Sequence, residues 1–299
     1  MSIAPRIAVV GSINTDIIID VAALPRPHET IMTRGLRRGI GGKGLNQAIA
    51  ARRMGARVCM IGAVGNDAEG AAACGHLVAA GINTLYIDGV AAPTGTAHIM
   101  VAADGGNVIA VTAGANALVT PALVEAAEAS IADAGLLMVQ LETPLDAIEA
   151  ALRVARRHNV RTLLNPAPAE CAALSLLPLV DLVTPNETEL ATLTGTDDVA
   201  AGLKALVAAG AGAALVTLGG DGSAALIGDE LVRQPAFPAS AVDTTGAGDA
   251  YNGALAYALA LGEPLPAAMR LAAAAGALAV SRATADAAPT YREALALLG

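Results

Sequence analysis

The stretch "RIAVVGSINTD" (6–16) carries an apolar run between Arg6 and Gly11 and then turns polar. An unbroken apolar run of this length predicts a strand buried on both faces, as in a parallel sheet. Working outward, similar runs recur: "ARVCMIG" (56–62), "GLLMVQL" (135–141), "VRTLLNP" (160–166), "VDLVTP" (180–185) and "AALVTLG" (213–219). Helical stretches separate them at 44–54, 68–80, 121–133, 145–158, 187–194 and 198–209, and the tail is helical over 248–261, 266–281 and 291–298. Alternating strand–helix units predict an α/β chain, with a central, mostly parallel sheet flanked by helices and right-handed crossovers.

Two segments break this rhythm. Residues 15–40 and 93–113 alternate in polarity and contain the turn signals Pro25, Pro27 and Asp104-Gly105-Gly106. They read as strand pairs that form a small sheet, placed as a lid at the mouth of the site. With no internal repeat, low-complexity tract or linker, residues 1–299 read as a single domain.

Composition narrows the function. The 299 residues are 55% apolar and carry 27 acidic against 18 basic groups, for a net charge of −9. The high apolar fraction excludes disorder, and the absence of a Lys/Arg run speaks against nucleic acid. A membrane-spanning helix needs about 20 apolar residues in a row; "ALAYALALG" (254–262) and "LAAAAGALAV" (271–280) are too short. The N-terminus lacks a signal-peptide core, and the three cysteines (Cys59, Cys74, Cys171) suggest no disulfide framework. A cytoplasmic location is expected.

Five motifs carry the chemistry. In "AVDTTGAGDAYNGALAYAL" (241–259), Gly246, Ala247 and Gly248 bring bare backbone amides to a helix N-terminus, a ready anion site. Asp249 in the first turn could accept a proton from a hydroxyl attacking a phosphoryl group; equally, Asp is favoured in any first turn. "GIGGKGLNQAIAARRMGA" (39–56) matches neither the dinucleotide fingerprint, for want of a strand before and an acid after, nor the phosphate loop. It leaves a glycine-tight helix start presenting Lys43 and Asn46, or else a plain turn with a solvated lysine. In "GSINTD", Asn14 and Asp16 follow the first strand at its C-terminal end, where open sheets bind ligands; an Asx turn is the plainer alternative. "TPNETEL" (184–190) is nearly a capping box, Asn186 as N-cap and Glu189 three residues on, or a pair holding water around Mg²⁺. "TLGGDG" (217–222) either lines a nucleotide or makes a hairpin. The four histidines lack metal-ligand spacing.

Taken in order, "GSINTD", "GGKGLNQA" (41–48), "GANALVTPALV" (114–124), "QLETPL" (140–145), "LNPAPA" (164–169), "TPNETE", "TLGGDG" and "AVDTTGAGDAYNGAL" (241–255) resemble the PfkB carbohydrate kinase family over nearly the whole chain, its ribokinase branch most closely. The resemblance implies the α/β fold with a β-sheet lid that also makes a homodimer interface, and ATP- and Mg²⁺-dependent in-line phosphorylation of a sugar hydroxyl. It assigns Asp249 as the base and the amides of Gly246, Ala247 and Gly248 as the anion hole. Asn14, Asp16, Gly42, Lys43, Asn46 and Glu142 would hold the sugar. Asn186, Thr217, Leu218, Gly219, Gly220, Asp221, Gly222 and Gly248 would meet ATP, and Glu189 would organise Mg²⁺. A monovalent cation, K⁺, is implied at Asp243, Thr245 and the carbonyls of Val280, Ala283 and Ala285. That loop departs from the family pattern: Thr284, Ala287 and Ala288 stand where Gly, Pro and Ser are usual. Leu45, His28 and Ala273 also replace the usual Ala, Gly and an occasional His.

Substrate choice follows from aromatic content. The presumed lid segments contain no Phe, Tyr or Trp, and the whole chain has one Phe and no Trp. Stacking is a chief way to hold a base, so a small sugar is expected: D-ribose, converted to ribose 5-phosphate. Alternatives are deoxyribose, another small sugar or a nucleoside, or a non-catalytic sugar or nucleotide sensor on the same fold.

Overall fold

A computed structural model describes residues 4–104, 106–282 and 288–299. Its main sheet has nine strands in the order Glu230–Gln234, Ser223–Ile227, Ala214–Thr217, Leu182–Val183, Arg161–Asn165, Leu136–Gln140, Arg6–Val10, Arg57–Gly65 and Asn83–Val90. Every pairing is parallel except the hairpin edge, where Ser223–Ile227 runs antiparallel to both neighbours.

Side chains of successive strand residues point to opposite faces, and here the two faces bury separate cores. Ala8, Val10, Leu137, Val139 and Leu164 join one cluster with Leu123, Ile131, Ile148, Leu190 and Leu203. Ile7, Val9, Leu136, Met138 and Leu163 join the other with Leu45, Ile49, Leu77, Leu255 and Met269. The expected α/β architecture with helices on both faces is what the chain adopts. No described helix is long and apolar enough to cross a membrane.

The second sheet has four strands, in the order Gly35–Gly41, Asn14–Val21, Gly95–Ala102 and Asn107–Thr112. Asn14–Val21 pairs parallel with Gly95–Ala102, and the outer pairs are antiparallel. His28, in the connection between its first two chain segments, stands at φ 69°. That left-handed conformation explains why glycine is usual there.

The structure departs from the sequence reading in a few elements. The helix expected over 121–133 is two short ones, Pro121–Ala126 and Glu128–Ala132, hinged at Ala127. The strand at 180–185 shrinks to Leu182–Val183. Asn83–Val90 is an unforeseen edge strand; it is half exposed, so its run is broken by polar residues. "TLGGDG" resolves into a 3₁₀ turn at Gly219–Asp221 leading into the antiparallel hairpin, which turns at Gly228-Asp229 with Gly228 at φ 60°.

Candidate active site

Parallel strands all end on one edge of the sheet, and ligands in such folds bind there. The loops leaving Arg6–Val10, Leu136–Gln140, Leu182–Val183 and Ala214–Thr217 bring Asn14, Glu142, Asn186 and Gly219 to that edge.

The helix Lys43–Met54 starts hard against the first of these loops. Gly42, its N-cap, sits at φ 95°, and a Cβ there would meet Asn14 N and Ser12 O at 2.9 Å. A Cβ on Gly44 would lie 2.6 Å from the Gly11–Ser12 peptide. Only glycine permits this approach, and it brings Lys43 N within 3.2 Å of Glu142 Oε2. Ser12 Oγ donates to the same carboxylate oxygen and accepts from Gly44 N at 3.3 Å. Asn116 Nδ2 donates to Asn14 Oδ1 at 2.7 Å. Asp16, also buried, lies over Gly41, where a Cβ would strike its carboxylate.

Asp249 opens the helix Ala247–Ala260, whose N-cap Gly246 adopts φ 76°. Its carboxylate is buried, with only 8% of the residue exposed. Oδ2 accepts from Asn46 Nδ2 at 3.2 Å and Oδ1 from Gln47 Nε2 at 3.0 Å. The close packing of this helix on Lys43–Met54 depends on Gly253, where a Cβ would lie 2.4 Å from the Ala50 methyl.

Four carboxylates and one amine interact here. Burial raises Asp16 to about 6, with Glu142 and Asp249 adding repulsion. Burial raises Asp249 as well, against Lys43 and the two amide donors. Glu189 is raised by burial, partly offset by the Asn186 N–H and Lys43. For Lys43, burial disfavours the charge, but Asp249, Glu142 and Glu189 outweigh it and its pKa is raised. An ammonium is thus held beside Asp249 and Glu189, whose own burial pushes them towards neutrality.

Beside Asp249 opens a cavity of about 850 Å³. Asn186, Thr217, Gly219, Gly220 and Gly222 line it, with Ala247 and Gly248 from the glycine turn; Leu218 and Asp221 do not. Its apolar end is made by Phe237, Tyr251, Ala273, Gly276 and Ala277. A Cβ on Gly219, Gly220 or Gly248 would meet nothing, so bare backbone borders open space. Ala247 N donates to Thr244 O at 3.3 Å. Asn186 and Glu189 form a complete capping box: Asn186 Oδ1 accepts from Glu189 N, and Glu189 Oε2 from Asn186 N, both at 2.8 Å.

The Asp243–Thr245 loop expected to hold a cation is tied to the C-terminal end of the helix Leu265–Val280. Asp243 Oδ1 accepts from Thr245 N at 2.8 Å, and the Val280 carbonyl accepts from Val242 N at 2.7 Å and Asp243 N at 3.2 Å. Ala283 and Ala285 lie outside the described residues.

Motif reading missed a set of buried amides and hydroxyls: Gln47, Asn116, Gln140, Asn165, Thr184 and Asn252. The available signal was a polar residue closing an apolar strand run, as in "LLMVQ" and "RTLLN".

A buried carboxylate in the first turn of a glycine-started helix contacts Asn46 and follows Gly248, which lines a nucleotide-sized cavity: the fold and site fit a kinase acting on a small alcohol. The match to the pfkB family carbohydrate kinases spans residues 4–290. The ribokinase of Haemophilus influenzae is 38% identical over 300 residues, covering 98% of each chain. The deoxyribokinase of Salmonella typhi is 36% identical, covering 89% of each. A solved Arabidopsis thaliana ribokinase, complexed with ribose and ATP, superimposes with a TM-score of 0.88 at 32% identity, covering 99% of each chain. The chain belongs to the pfkB family of carbohydrate kinases, enzymes that transfer a phosphoryl group to a sugar hydroxyl.

Proposed function

We propose that the chain is an ATP-dependent ribokinase that converts D-ribose to ribose 5-phosphate. The observation that carries this is the position of Asp249, in hydrogen-bond contact with Asn46 on the polar side and one residue from Gly248 on the cavity side. The relatives named ribokinase support the substrate. So does the strand geometry: Asn14 and Asp16 are two apart in a strand and share a face, a spacing suited to adjacent sugar hydroxyls. The four-stranded sheet over this pocket would act as the lid, and residues 1–299 as one domain.

In this reading Asp16, Asn14, Lys43, Asn46 and Glu142, with the backbone at Gly42, orient the sugar. Asp249 accepts the hydroxyl proton as oxygen attacks the γ-phosphorus. Amides of Gly246, Ala247 and Gly248 stabilise charge on the transferring group. The long Ala247–Thr244 bond is one that a phosphoryl oxygen can displace. Asn186, Thr217 and the turn Leu218–Gly222 hold the nucleotide.

The donor set fits Mg²⁺. Among the described residues no group of three or more His, Cys, Asp or Glu could hold a metal. Mg²⁺ would be bound mainly through phosphate oxygens and water, with Glu189 as its protein carboxylate. Mg²⁺ would neutralise phosphate charge beside the acidic cluster. K⁺ would sit at the Asp243–Thr245 loop and the Val280 carbonyl.

A panel of D-ribose, 2-deoxyribose, fructose and nucleosides with ATP, in K⁺ and Na⁺ buffers, tests the reading. D-Ribose is expected to give the highest kcat/KM, at least about tenfold above any nucleoside, with activation by K⁺. The deoxyribokinase relative makes 2-deoxyribose the second reading, and a preference for it would replace ribose.

A further inference from the structure

Behind Asp249 runs a chain of buried side chains that the reaction above does not use. Gln47 is fully buried. Its Nε2 donates to Asp249 Oδ1 and to Asn165 Oδ1, each at 3.0 Å, and its Oε1 accepts from Gln140 Nε2 at 2.7 Å. Asn165 Nδ2 donates to the Thr184 carbonyl at 3.0 Å, and Thr184 Oγ1 to Asn252 Oδ1 at 2.7 Å. Asn252 Nδ2 then donates to the Gly248 carbonyl at 2.9 Å. The base and the glycine turn therefore share one hydrogen-bonded frame.

This frame has a direction. Asp249 Oδ1 and Asn165 Oδ1 both accept, so the end of Gln47 that faces them is Nε2, and Oε1 faces the Gln140 amide. An ionised carboxylate only accepts, and Oδ1 is matched to that donor. A proton placed on Oδ1 would set O–H against N–H and leave a buried donor unpaired, which is costly. Oδ2 also meets a donor, Asn46 Nδ2, but at the longer 3.2 Å, and Asn46 Oδ1 is buried with no hydrogen-bond partner, so that amide can turn to accept a proton held on Oδ2.

We propose that Gln47 is a positioning residue for phosphoryl transfer: it pins Asp249 Oδ1, so that the proton of the sugar hydroxyl is taken up at Oδ2. The inference rests on Asp249 being the base. In the step, the sugar O–H bond breaks and its proton goes to Oδ2. The new O–P bond forms as the bond from the γ-phosphorus to the β,γ-bridging oxygen breaks, its electron pair leaving on ADP.

The test is the pH profile of kcat with the best sugar of the panel, for wild type, Gln47→Met and Gln47→Glu, with Asp249→Asn as reference. The charged groups facing Asp249 are Lys43, Glu142, Asp16 and Glu189, and all remain in each variant. Loss of a donor to the charged form raises a carboxylate pKa, so the acid limb of Gln47→Met should move up by ~1 pH unit. Gln47→Glu should move it further, because it adds a like charge. At neutral pH, kcat of Gln47→Met should fall about tenfold while sugar KM changes less than about threefold. A folded Gln47→Met whose acid limb stays in place overturns the positioning role. If Gln47→Met does not fold, Gln47→Asn, which stays an uncharged amide but is one methylene shorter and so withdraws the donor from Oδ1, is judged by the same criterion. Wild-type turnover in Asp249→Asn would instead sink the base assignment, and this inference with it.

Discussion

Opposing effects meet at Asp249. Burial opposes its ionisation, while Lys43, Gln47 and Asn46 favour it. A base needs this balance, basic enough to take a proton yet ionised at working pH. Replacing Asp249 by Asn keeps the shape and removes the basic carboxylate: kcat should collapse by several decades, with sugar binding by calorimetry near wild type. Asp16 offers a second expectation, with opposite signs for stability and binding. Its pKa rises from 3.8 to about 6 on folding, so the folded state binds the extra proton more tightly. Between those values the unliganded enzyme should gain stability from this group as pH falls, and lose it as pH rises through about 6. Sugar affinity should run the other way if ionised Asp16 accepts a sugar hydroxyl. KM measured from pH 5 to 8 should fall and then level off, and Asp16→Asn should flatten both trends.

At the scale of elements, the site depends on how closely two helices cross. Asp249 and Gly253 are four apart on one helix, and Gln47 and Ala51 four apart on the other, so each pair shares a face. Gly253 has no room for a methyl against Ala50 and Ala51. Gly253→Ala should cost about 1–3 kcal/mol through overpacking, read by thermal or denaturant unfolding. It should also lower kcat, because separating the helices lengthens the Gln47–Asp249 contact. Unchanged stability would show that the helices shift freely. Element identity was largely readable from periodicity, but boundaries were not. The break at Ala127 interrupts an apolar pattern that continues through it, so only the packed backbone reveals it.

For the whole molecule, a net charge of −9 must accommodate an anionic nucleotide. Helix-end amides would favour the phosphates, Lys43 would offset part of the carboxylate charge around it, and Mg²⁺ would supply the rest. ATP affinity, measured by calorimetry, should therefore drop sharply on chelation with EDTA; indifference would remove the Mg²⁺ assignment. The small sheet leaves Leu36, Val108, Ile109 and Val111 exposed. A second copy of the chain is the proposed partner, so light scattering should report a dimer and Ile109→Asp with Val111→Asp a monomer.

Read alone, the sequence determined the α/β class, the helices between strands, the small sheet's two source segments and the glycine turn before Asp249. These rest on local rules: apolar periodicity, turn residues and bare amides at helix starts. It left Asn186 and Glu189 open between a cap and an ion site, and it passed over Gln47, Gln140 and Asn165. Tertiary structure alone decided that residues 202 positions apart, Gln47 and Asp249, share a hydrogen bond in the interior. A buried polar side chain is defined by its partners, and those partners are brought together only when parallel strands end on one edge and two helices close over it.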